Sequence, residues 1–94
     1  MDNYIINVWH EVRHCLDNVQ KMPMETRRKH SLEFEKKLWA IQVSINRDTN
    51  ELYLFHGDPD FKEMREEFKA KVRKYKEIVE LVNKFREVGN VYAE

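Results

Sequence analysis

Residues 58–88 carry apolar side chains at Phe61, Met64, Phe68, Val72, Tyr75, Val79, Val82 and Phe85, stepping by three or four. That spacing is the stripe of a single amphipathic helix. The segment fills about a third of the 94-residue chain, and at about 1.5 Å per residue it measures roughly 45 Å. A spherical domain of this size has a radius of gyration near ~12–13 Å, so it is only about 30–35 Å across. A helix longer than its own globule either projects or is covered by another copy of the chain. The expectation is therefore self-association through Phe68, Val72, Tyr75, Val79, Val82 and Phe85. Asp58 and Pro59 suit the start of this helix, over about 59–88, and Gly89-Asn90 its end.

Composition sets the remaining limits. Hydrophobic residues make up 41% and charged residues 36%, which suffices for one core with little apolar surplus. Two glycines and two prolines leave few turns and favour long helices. Lys plus Arg equals Asp plus Glu at 17 each, so no global field steers the molecule to nucleic acid or membrane. Cys15 is the only cysteine, which rules out an intramolecular disulfide and fits a reducing compartment. The longest wholly apolar runs, 38–41 and 52–55, are too short for a membrane span. A cytoplasmic protein without a membrane partner, intracellular in its own or a host cell, is expected.

Along the chain, residues 3–20 predict a first helix on Ile5, Trp9, Val12, Leu16 and Val19, capped by Asp2 or Asn3. Lys21-Met22-Pro23 ends it, and 25–37 predict a second helix. From Trp39 the residues alternate: Trp39, Ile41, Val43 and Ile45 on one side, Ala40, Gln42, Ser44 and Asn46 on the other. Period two with β-branched residues indicates a strand. Asn46 to Asn50 supplies turn formers, and 52–55 would return as the partner strand. The rival reading extends the second helix to Ile45, with Phe34, Leu38, Ile41 and Ile45 as its seam.

His10-Glu11-Val12-Arg13-His14 matches H-E-x-x-H on a predicted helix. Histidines four apart share a face and can grip one Zn²⁺, while the glutamate activates the bound water. Over these five residues the chain resembles the zincin metallopeptidases. That resemblance implies His10 and His14 as ligands and Glu11 as general base. The metzincin extension needs a glycine at position 17 and a histidine at 20, where this chain has Asp17 and Gln20. Third-ligand candidates by type are Glu25, His30, Glu33 and His56. The same two histidines also suit the polar face of an amphipathic helix, because Ile5, Trp9, Val12 and Leu16 point away from them.

Lys62, Arg65, Lys69, Arg73 and Lys76 step by three, four, four and three, forming a basic ridge beside the apolar stripe. Such a ridge can meet an acidic protein surface or track phosphates. It equally suits a solvated flank braced by Glu66–Lys69, Glu67–Lys71 and Glu80–Lys84. The aromatic residues at helical spacing read as core or interface, and Cys15 as a small buried hydrophobe.

Together these readings give a single domain over 1–94: α+β, mainly helical, with two N-terminal helices, a β-hairpin at about 38–55 and one long C-terminal helix. An all-α three-helix bundle is the alternative. The functional expectation is a small, non-enzymatic interaction or regulatory protein of viral or mobile-element origin. It would need no cofactor, form a homo-oligomer and occupy a partner protein's surface. A zinc-binding, metallopeptidase-like protein is the first alternative, and nucleic-acid binding through the ridge the second.

Overall fold

The computed structural model describes residues 2–92 and contains three α-helices and no strand among them. Helix α1 covers Asn3–Asp17, a 3-10 turn follows at Val19–Lys21, α2 runs Met24–Leu54 and α3 runs Phe61–Val88. The fold is all-helical, and the β-hairpin expected at 38–55 is replaced by the second half of α2. The helical seam wins because Ile41 is buried and Leu38 and Ile45 pack against the core, in line with buried Phe34. Two lone strands have no comparable surface to lie on. The turn formers are absorbed by the helix: Thr49 Oγ1 donates to the Ile45 carbonyl (2.9 Å), and Asp48 pairs with Lys71 across the seam (2.7 Å).

α2 and α3 are antiparallel and nearly equal in length, 31 and 28 residues. Their cross-links keep one register: Arg86 to Ser31, Tyr75 to Gln42, Lys71 to Asp48. α1 lies along both, antiparallel to α2 (Glu11–Lys37) and parallel to α3 (Trp9–Lys74). The long C-terminal helix does exceed a sphere, since the molecule measures 52 × 23 × 17 Å. What covers it is α1 and α2 of the same chain.

The core sits where all three helices meet. Ile5, Val8, Val12 and Cys15 of α1, Val19, Phe34 and Ile41, and Ile78, Val82 and Phe85 of α3 are buried. Phe34 meets Phe85 edge-on at 5.4 Å and 78°, and His30 stacks on Phe34 at 5.8 Å. α1 is only 15 residues long, so it covers only part of the hairpin. Towards the 55–60 turn, α2 and α3 hold one another through half-buried Leu52, Phe61, Met64 and Phe68 and through Lys71, which reaches Asp48 (2.7 Å).

Helix ends follow the sequence with small shifts. Asp2 caps α1 by accepting from the Tyr4 amide (2.9 Å). α3 begins at Phe61, after Asp58 accepts from the Asp60 amide (2.8 Å). Its C-terminus closes with Asn90 at φ 55°. The Val91 amide reaches the Arg86 carbonyl (2.8 Å) and the Asn90 amide the Glu87 carbonyl (3.3 Å), a left-handed cap that answers two orphan carbonyls. Gly89 has ordinary negative φ but needs to be glycine for space: a Cβ there would stand 2.9 Å from Val19 Cγ2. Arg27 locks this corner, donating Nε to the Val19 and Met22 carbonyls (3.0 Å each) and Nη1 to the Gly89 carbonyl (2.9 Å).

Candidate functional site

Three outward faces carry the chemistry-bearing residues. On α1, His10 and His14 are both exposed on the side away from the core. The Trp9 ring meets His10 edge-on at 5.0 Å. Glu11 is engaged elsewhere, accepting from Lys37 Nζ at 2.5 Å. His30 faces inward against Cys15 (4.0 Å) and pairs with Glu33 (4.0 Å), while His56 lies in the far turn beside the Tyr53 carbonyl. Among the described residues no group of three or more His, Cys, Asp or Glu is placed to hold a metal ion. The pair His10 and His14 therefore stands without a third protein ligand beside it.

Cys15 is buried, and its thiol is pushed above the ordinary value by that burial first and by the Glu11 carboxylate second. A buried, protonated thiol is a poor nucleophile.

On α3, all five ridge residues, Lys62, Arg65, Lys69, Arg73 and Lys76, are exposed on the side opposite the core. Among the described residues, only Lys69 of the five has an ion-pair partner, Glu66 at 3.8 Å. The ridge is thus a real feature of the surface. The expected interface residues fall differently. Val82 and Phe85 are fully buried inside the chain's own core, Tyr75 packs against that core, and Phe68, Val72 and Val79 are half-buried.

The third face is on α2, and reading the segment as strands concealed it. Leu32, Trp39, Val43 and Leu54 are 62%, 69%, 47% and 74% exposed. They are seven, four and eleven residues apart, which at about 100° per residue places them on one stripe. That stripe lies opposite the Phe34–Leu38–Ile41–Ile45 seam, so α2 is apolar on two sides. Tyr53 is beside its far end and 82% exposed. The signal was present in the sequence: the apparent strand alternation of Trp39, Ile41, Val43 and Ile45 interleaves an outer pair with an inner pair.

Beside this stripe, a groove of about 640 Å³ runs between the start of α2 and the end of α3, lined by residues including Leu32, Glu35, Arg86, Val91 and Tyr92. Arg86 is held there by Ser31 Oγ (2.8 Å) and by Glu35 (3.8 Å).

No helix among the described residues is long and apolar enough to cross a membrane. No family model, curated protein or solved structure matches the chain.

Proposed function

We propose that this chain is a helical interaction protein that works by docking the outward face of α2 onto an amphipathic helix. The observation that supports the reading is the stripe of Leu32, Trp39, Val43 and Leu54, four large apolar side chains exposed along one line. Scattered apolar residues on a surface need no explanation, whereas an aligned set does. Helix-on-helix recognition reads such a line as anchors three, four or seven apart, and a tryptophan at its middle is the residue type that dominates interface energy. Because Trp39 faces away from the core, its replacement leaves folding intact. Cross-linked capture from the source cell with the wild-type chain and with Trp39→Asp tests this. A partner retained by the wild type and lost by the variant, at equal helix content by circular dichroism, is expected. Identical recovery by both would remove the reading.

The ridge of Lys62, Arg65, Lys69, Arg73 and Lys76 supports a second reading, docking on phosphates or an acidic surface. Four of its five cations make no ion pair in the described residues. Binding to random-sequence duplex or single-stranded nucleic acid would then weaken linearly in log–log against salt, with a slope near one per phosphate contact. Lys69→Glu with Arg73→Glu abolishes that binding if the ridge carries it. Salt-independent or undetectable binding discards this second reading.

A further inference from the structure

We infer that the helix received by the α2 face is α2 of a second copy, lying antiparallel and crossing near Ala40. This rests on the reading of that face given above and names its occupant.

Charge along α2 is what selects the second copy and its direction. Beside the outward stripe, α2 carries Lys29 and Glu33 in its first half and Arg47 and Glu51 in its last third, whereas Arg27 and Asp48 are engaged inside the chain. An antiparallel pair centred near Ala40 sets Trp39 against Val43 of the second copy, and by symmetry Val43 against its Trp39. On one flank of the stripe the same register sets Lys29 opposite Glu51 of the second copy and Glu33 opposite its Arg47. In an antiparallel pair residues on one flank meet their like-numbered flank, so both contacts occur twice. Lys29, Arg47 and Glu51 are exposed; Arg47 would exchange its long contact to Ser44 Oγ (3.4 Å) for the one to the second copy. A parallel pair instead brings like-numbered residues of the stripe together, stacking Lys36 on Lys36, with both helix N-termini side by side. Ala40 is exposed and small, which lets the two backbones approach at the crossing. Lys36 lies between Leu32 and Trp39; its methylene stem can cover apolar surface while the ammonium stays in water. The ridge of α3 lies on another side of each copy and stays open.

The full chain is examined by light scattering coupled to gel filtration and by sedimentation over a range of concentrations. Wild type is expected as a dimer that dissociates on dilution, with Trp39 emission moving to the red as its ring returns to water. Trp39→Glu with Val43→Glu is expected to be monomeric at unchanged helix content. Lys29→Glu weakens the dimer by roughly three- to tenfold, and Lys29→Glu with Glu51→Lys restores it. A dimer indifferent to the Trp39 and Val43 changes, or a charge exchange that fails to restore affinity, overturns the arrangement. So does a monomer at every concentration. If that monomer still retains a cellular partner that Trp39→Asp loses, the second copy alone is discarded. If it retains none, the reading of the face falls with it.

Discussion

Arg27 ties three separated pieces of backbone with one guanidinium: the 3-10 turn at Val19, the carbonyl of Met22 and the end of α3 at Gly89. The Val19 carbonyl also accepts from the Met22 amide (3.1 Å), but the Met22 and Gly89 carbonyls lean on this donor, so removing it leaves two orphaned acceptors in a half-buried corner. Arg27→Met is expected to cost roughly 2–3 kcal/mol in urea unfolding, and Arg27→Lys to recover little, since one ammonium cannot span the fork. A loss below the error of the extrapolation would show the corner to be held by packing instead. Cys15 gives a pH-dependent test. Its thiol is raised in the folded chain, so below the ordinary thiol range both states are protonated and nothing changes. Above that range the unfolded chain ionises first and binds fewer protons, and stability falls as pH rises until the folded thiol also ionises. Alkylation by iodoacetamide at mildly alkaline pH should accordingly be slow in the native protein and fast in denaturant. Equal rates would refute this burial.

Helix α1 and the α3 stripe were largely legible at the scale of the element, because one buried face against one wet face is what periodicity detects. Ile5, Val12, Val82 and Phe85 occupy the positions their spacing assigns. α2 was not, for a specific reason: its seam and its outer stripe are both apolar. At Trp39 to Ile45 the two sets alternate and imitate a strand. Asn46, Asp48, Thr49 and Asn50 are poor helix formers, and contacts from α3, such as Lys71 on Asp48 and Ser44, offset that together with the Thr49 bond to the Ile45 carbonyl. The ridge on α3 was legible as a pattern, whereas the engagement of Glu11 by Lys37 joins residues 26 apart and no local spacing foretells it. Unequal helix lengths give a further expectation. The segments beyond α1, about 46–54 and 61–70, lack a third layer, so their amides should exchange faster than those near Phe34 and Ile78, by local opening. Uniform protection along both helices would contradict the packing described.

For the whole molecule, the decisive quantity is the match between α2 and α3. A C-terminal helix too long for a sphere seemed to demand another chain, yet the 52 Å long axis is built by two helices of one chain. On α3, Val82 and Phe85 are satisfied internally, and the exposed large apolar residues Leu32, Trp39, Val43 and Leu54 lie on the outward side of α2 instead. The far turn has a different consequence. Gly57 faces open space, with nothing within 4 Å of a Cβ placed there, and residues 53–60 are all exposed. Nicking the backbone between Gly57 and Asp58 should therefore release two complementary halves that stay zipped through the common register of their long arms. Co-expressed as separate pieces, they should find each other and reconstitute the native circular-dichroism spectrum, making this small protein a splittable tether.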